Sequence, residues 1–216
     1  MPTQRLWRLC RRSRFTRSHG VAKVSTGATD GVVFACAMGV EERIARRLGP
    51  TVRLGLGASS GIPSEERLVS FGVAGALRAG LEIGTVIDAT RVVDENGQVL
   101  WEGPPLGVTH AVTGTILGAS RIIDDPTERA QLHESSGADA VDMESGPLAR
   151  AGRLAGCIRA ISDAQGRELA GLAEGIRLDG NVDYTGLARG FLRAPRETAR
   201  AARDARRALK SLEAVA

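Results

Sequence analysis

Two short runs, Ala140-Val141-Asp142-Met143-Glu144-Ser145 and Arg159-Ala160-Ile161-Ser162-Asp163-Ala164, each carry an apolar, strand-like stretch out onto carboxylates. A Gly-rich run, Phe71-Gly72-Val73-Ala74-Gly75-Ala76-Leu77, follows another such stretch. In an open α/β sheet, ligands bind beyond the carboxyl ends of the strands, so acids held there converge on one pocket. Two such acids can work on a ligand from two sides, one handing over a proton and the other balancing positive charge. Metal and disulfide chemistry find no comparable support. Cys10, Cys36 and Cys157 are far apart and odd in number, and His19, His110 and His133 lack ligand spacing. Cys36 and Cys157 lie in apolar runs and read as small core residues.

The elements that must position these acids alternate between strand and helix. Val32–Ala37 is a continuous apolar run, as expected of a strand buried on both faces. Glu41 to Leu48 reads as a helix, Val52 to Leu56 as a strand, and Gly57 to Glu66, rich in Gly and Ser, as a loop. Leu68 to Phe71 leads as a strand into a glycine turn, and Thr85 to Ala89 is a further strand. Asp94-Glu95-Asn96-Gly97 signals a hairpin between Arg91-Val92-Val93 and Val99-Leu100-Trp101. Ala111 to Leu117 is a strand, and Pro126 to Ser135 a helix with Asp125 as N-cap. Ala138 to Val141 is a strand feeding a helix over Glu144 to Ala155. Cys157 to Ile161 is the last strand. From Pro195 a helix carries an apolar stripe of Ala199, Ala202, Ala205, Leu209 and Leu212. Arg196, Arg200, Arg203, Arg207 and Lys210 face the other way, a solvated face or one suited to anionic lipid. The pattern predicts an α/β, three-layer αβα domain around a mixed central sheet.

The 216 residues suffice for one well-buried domain, expected over residues 29–216. An aromatic content of 3% means that any pocket is lined by aliphatic side chains and backbone. The net charge of +4 is concentrated in residues 1–20, which hold six arginines and no acid. Setting those aside leaves 23 of the 29 basic residues against 25 acidic ones, so the body is nearly neutral. This argues against a nucleic-acid-binding core, which spreads cations over a folded face. Residues 1–28 read as a disordered basic extension; a transit peptide, a lipid-touching arm and an upstream translation start are the other readings. No stretch approaches the ~20 apolar residues of a spanning helix, and a cytoplasmic protein is expected.

Taken in order, Met38 to Glu42, Gly72 to Gly75, Met143-Glu144 and Ser162-Asp163 resemble the purine nucleoside phosphorylase and methylthioadenosine nucleosidase superfamily. The resemblance covers roughly residues 31 to 170. Arg159-Ala160-Ile161-Ser162-Asp163 is similar to its late motif, Asp142-Met143-Glu144 to its ribose motif, and Val69 to Leu77 with Gly80 and Ile83-Gly84-Thr85-Val86 to its Gly-rich turn and next strand. Leu132-His133-Glu134, Ala140 to Ser145, Ile176-Arg177-Leu178-Asp179-Gly180 and Ala201-Ala202-Arg203-Asp204-Ala205-Arg206 resemble the hopanoid-associated phosphorylases, thought to act on adenosylhopane.

That resemblance implies roles. Cleaving an N-ribosidic bond leaves positive charge on the sugar and negative charge on the purine. Asp163 would donate toward purine N7, with a pKa raised by its apolar surroundings; alternatively it caps a helix from Ala164. Glu144 would accept from ribose hydroxyls and favour the cationic sugar, or merely suit a helix dipole. Met143 would pack under the ribose, against an ordinary core role. Gly72, Ala74 and Gly75 would let the substrate approach the backbone, with Ser162 beside it. Glu41 falls where nucleosidases hold the acid that activates water, whereas Gly39 and Arg43 have the spacing of a phosphate site. Glu42, Arg43 and Arg46 otherwise read as surface helix residues.

Three departures stand out. Ser70 and Val73 replace the phosphate-binding Arg and Ser of some phosphorylases, Gly57 to Glu66 is short for the helix expected there, and Ala164-Gln165-Gly166-Arg167 lacks a second acid. The first expectation is phosphorolysis of a 5′-modified adenosine such as adenosylhopane, with inorganic phosphate as co-substrate and no cofactor or metal. The second is a hydrolytic nucleosidase using Glu41. The third is a degenerate member that binds a nucleoside without turnover. A homo-oligomer, peripheral contact with the inner membrane surface, and no nucleic-acid partner are expected.

Overall fold

The computed structural model describes residues 31–64, 67–169, 175, 177, 179–181 and 183–216. The extension expected over residues 1–28, and Cys10 with it, lies outside them. In chain order the elements are β1 (Val33–Cys36), α1 (Gly39–Ala45), β2 (Thr51–Arg53), a short 3-10 turn (Leu56–Ala58) and β3 (Leu68–Ala76). There follow β4 (Val86–Val93), β5 (Val99–Glu102), β6 (Val112–Gly118), α2 (Pro126–Ser136), β7 (Ala140–Asp142) and α3 (Ser145–Arg150). β8 (Leu154–Asp163), α4 (Tyr184–Arg193) and α5 (Pro195–Val215) complete the fold.

The eight strands make one mixed sheet in the order β2-β1-β3-β7-β6-β4-β5, with β8 pairing both β3 and β4. β8 runs parallel to β3 and antiparallel to β4, and β7 is antiparallel to β3. The pairings therefore close β3, β8, β4, β6 and β7 into a ring, from which β1-β2 and β5 extend. Strand alternation supplies a core to each face. Phe34, Cys36, Val69, Phe71, Ile158 and Ala160 meet Ile44 and Ala45 of α1 and Ala208, Leu212 and Val215 of α5. Ala35, Leu68, Ala74, Ile87, Cys157 and Ile161 meet Leu148 and Ala149 of α3. This is the expected α/β layering around a mixed sheet. Cys36 and Cys157 are buried in it, and burial pushes the Cys157 thiol up to about 12. No helix among the described residues is long and apolar enough to cross a membrane.

Local signals with a side-chain cause are met closely. Asp125 Oδ1 accepts from Glu128 N at 2.7 Å, with Pro126 opening α2. Asp94 Oδ1 accepts from Asn96 N and Gln98 N, and Gly97 takes φ +77°, which makes the β4–β5 hairpin.

Three expectations are corrected. The Gly-rich run is no turn: β3 runs unbroken to Ala76, because its glycines yield space to crossing side chains rather than bend the chain. α3 stops at Arg150, since Gly152 takes φ +67° and the apolar residues that follow belong to β8. The buried residues of α5 are Thr198, Ala201, Ala208, Leu212 and Val215, while Ala202 is exposed. The basic row faces outward as expected, but alanines beside the leucines leave the edge of the buried stripe undefined by composition.

Candidate active site

β3 and β8 run in parallel register until Ala74–Ile161, and the next pair is Gly75–Asp163. Ser162 is the extra residue of a β-bulge, which re-aims the last side chains of β8. Asp163, only 7% exposed, lies over β3 where Gly75 has no side chain: a Cβ there would stand 2.9 Å from Asp163 Oδ2. Asp163 Oδ1 takes a hydrogen bond from Ser162 Oγ at 2.6 Å, and the same hydroxyl lies 3.2 Å from Ala74 O.

Arg129 of α2 reaches Asp163 from the other side. Its Nη1 stands 2.6 Å from Asp163 Oδ2. The pair is an ionic contact at poor hydrogen-bond angle, because Oδ2 remains buried without a hydrogen-bond partner. Arg129, 1% exposed, also donates to the carbonyls of Ile123, Ala164 and Arg167 and so pins the turn after β8. No helix starts at Ala164; the chain turns there, and Asp163 is not a helix cap.

A second cluster stands beside it. Arg159 shares a face of β8 with Cys157 and Ile161 and is 1% exposed. Its Nη2 pairs with Asp142 and Glu144, the latter at 3.3 Å, and donates to Ser70 Oγ at 2.5 Å. Asp142 also accepts from Ser145 N and Oγ and so opens α3. Glu144 Oε1 accepts from Gly57 N at 3.0 Å. Glu41, the third residue of α1, reaches back: its Oε2 accepts from Ala37 N and Met38 N, and its Oε1 from Val73 N at 2.9 Å.

Three carboxylates thus crowd one guanidinium. Burial pushes Glu144 up to about 7 against the opposing pull of Arg159, with Asp142 and Glu41 adding to the rise. Burial raises Glu41 as well, opposed by Arg159 and its three backbone donors.

Both clusters open on one cavity of about 290 Å³. Asp163, Ser162, Gly75 and Arg129 line one part of it, and Glu41, Asp142, Met143 and Glu144 another. Among the described residues the remaining wall is mostly apolar, with Val40, Leu56, Ile122 and Leu169 joined by Ala201, Ala205 and Leu209 of α5; Arg121, paired with Glu128, is its one further charged residue. An arginine–acid pair in one part of the cavity and an excess of acids in another suit a reaction that builds positive charge on one half of a ligand and negative charge on the other.

The structure brings together Glu41, Gly75, Met143, Glu144, Ser162 and Asp163. It does not bring four other predicted residues to the cavity wall. Gly72 is filled around by the protein itself, since a Cβ there would overlap Glu41 Oε1 and lie 2.5 Å from Arg159 Nη1. Ala74 contributes only its carbonyl to Ser162. Gly39 is half-buried at the start of α1, and Arg43 is exposed on the same helix. Sequence reasoning missed the roles of Arg159, Arg129 and the α5 wall. An arginine centred in the apolar run Cys157–Ile161 had to be paired, and that signal was available. Arg129, between ordinary helix residues, gave none.

A family model described as the Phosphorylase superfamily matches residues 106–176, the stretch that holds β6, α2, β7, α3 and β8. No curated protein sequence matches the chain. Among solved structures, the 5′-methylthioadenosine/S-adenosylhomocysteine nucleosidase of Colwellia psychrerythraea, in complex with adenine, is similar with a TM-score of 0.51 at 15% identity, covering 91% of this chain and 98% of that one. The Helicobacter pylori nucleosidase of the same type matches with a TM-score of 0.49 at 16% identity, covering 89% of this chain and 98% of that one. Futalosine hydrolase of Helicobacter pylori gives 0.49 at 15% identity, with 90% and 98% covered. The Colwellia likeness shows that the chain has the α/β fold of that nucleosidase.

Proposed function

We propose that this protein cleaves the N-ribosidic bond of a purine nucleoside whose 5′ position carries an apolar group. The observation that carries this reading is the common cavity of Asp163 and Glu144, each held by its own arginine. In the proposed step Asp163, entering as the carboxylic acid, passes its proton to the purine as the C1′–N bond breaks, while water bonds to C1′ and gives up a proton to Glu41. The carboxylate this leaves is neutralised where it forms, by Arg129. Glu144 accepts hydrogen bonds from the ribose hydroxyls, and Glu41 and Asp142 add negative potential beneath the cationic sugar. The aliphatic wall from Val40 to Leu209 suits an apolar 5′ substituent, and Arg121, its one charged member among the described residues, is held by Glu128. Adenosylhopane, to which the sequence likeness points, is a nucleoside of this kind.

Water is the nucleophile this geometry favours. Glu41 borders the cavity with one lone pair, on Oε1, left free by its three backbone donors. Crowded acids oppose a phosphate dianion, and Gly39 and Arg43 lie off the cavity wall. Phosphorolysis therefore becomes the second reading, resting on the sequence likeness. Purified protein incubated with 5′-alkylthioadenosines of increasing chain length, with and without phosphate, tests both. Adenine release without phosphate, yielding a free reducing sugar, is expected. Release only with phosphate, yielding a sugar 1-phosphate, supports the second reading. Adenine binding without release from any derivative overturns both in favour of a non-catalytic binder.

A further inference from the structure

We infer that the outer face of α5 is a docking surface for an anionic phospholipid bilayer. Arg196, Arg200, Arg203, Arg207 and Lys210 are all exposed. At 3.6 residues per turn they fall within an arc of about 80°, over ~21 Å of helix, with no acid inside the arc. The helix's acids sit to the sides, and two of them are engaged by arginines from elsewhere: Asp204 with Arg167 at 3.4 Å, and Glu213 with Arg47 at 2.7 Å. None of the five cations of the row has an ion-pair partner among the described residues. Arg203 makes only a hydrogen bond to Ala199 O.

Fold stability does not call for such a row. Like charges one turn apart on a helix repel, a cost that a solvated face relieves by alternating signs. A single-signed linear row instead complements a plane of negative charge, where each Lys or Arg adds to adsorption within a Debye length. The occupant is a lipid surface rather than a single-stranded nucleic acid, because α5 carries no aromatic side chain on which a base would stack. Apolar side chains occur on the neighbouring elements. Leu192, at the end of α4 where it packs on α5, is 85% exposed, and Val40 and Ile122 on the cavity wall are 37% and 36% exposed. The same helix walls the apolar cavity with Ala201, Ala205 and Leu209. These cavity residues lie on the side of α5 opposite the basic row, so a protein adsorbed through α5 would hold the site about one helix diameter, ~10 Å, from the bilayer.

Sedimentation of the full chain with vesicles of neutral phosphatidylcholine, or of phosphatidylcholine with about 30% phosphatidylglycerol, tests this without reference to any activity. Binding is expected to the anionic vesicles alone and to fall steeply with added salt. Arg200→Glu/Arg203→Glu/Arg207→Glu is expected to weaken it at least about tenfold with the melting temperature unchanged. The charge-matched control Arg5→Glu/Arg8→Glu/Arg12→Glu should keep most of it. Wild-type-like binding by the α5 variant, equal binding to neutral vesicles, or tighter binding to an RNA homopolymer at the same salt would each overturn the inference. Adenine-release assays on the same preparations separate this surface from the reading of the site: loss of either leaves the other standing.

Discussion

Asp163→Asn is expected to lower turnover by about two to four orders of magnitude while changing substrate affinity little. The amide keeps the shape of the carboxyl and an oxygen for Ser162 Oγ, but it has no proton to give. It also leaves Arg129 without its charge partner. Three backbone carbonyls still receive that guanidinium, so the stability cost should stay near 1–3 kcal/mol rather than unfold the protein. Single-turnover rates and equilibrium binding of the substrate, measured on the same sample, separate the two effects. Parallel losses in both would mean that Asp163 only supports the fold.

Glu144→Gln should be nearly as severe, lowering turnover about 10²–10³-fold, because a neutral amide cannot balance a cationic sugar. It carries a second, opposite signature in stability. Burial holds Glu144 protonated in the native state up to about pH 7, whereas the unfolded chain releases that proton near 4.5. Between those values the native state binds more protons, so this group's contribution is fully present below about 4.5 and is lost as pH rises through about 7. Gln does not titrate. Urea unfolding from pH 4 to pH 8 should therefore show the wild type falling relative to the variant across that window. The rising limb of the wild-type rate near pH 7, where Glu144 ionises and becomes a full acceptor, should vanish in the variant. Parallel stability profiles would show that Glu144 is not the group that titrates.

The sequence revealed those features of the site that depend on local chemistry. Asp125 before Pro126, and Asp94 before Asn96-Gly97, fix their turns through contacts a few residues apart, and both were legible. The acid-ended strands were legible because a carboxylate has few reasons to terminate an apolar run. The glycine run misled. Gly72 and Gly75 look like a bend, yet each is small because a side chain from elsewhere, Glu41 and Arg159 for the one and Asp163 for the other, occupies its space. That cause lies 30 to 90 residues away and leaves no local trace. The same holds for Arg129, whose partner is set by how α2 lies against the end of β8. On α5 the basic row marked the exposed side, but alanines flanking the leucines blurred the edge of the apolar stripe, and packing against β8 and β3 decides that Ala201 and Ala208 rather than Ala202 are buried.

The crystal structure of the protein with a non-cleavable 5′-alkylthio C-nucleoside analogue of adenosine tests the two-sided arrangement most directly. A purine nitrogen within about 2.6–3.2 Å of Asp163, a ribose hydroxyl at the same range from Glu144, and the alkyl chain along Val40, Leu56 and Leu209 are the result this account predicts. An analogue bound with its sugar away from Glu144, or outside the cavity altogether, would contradict it.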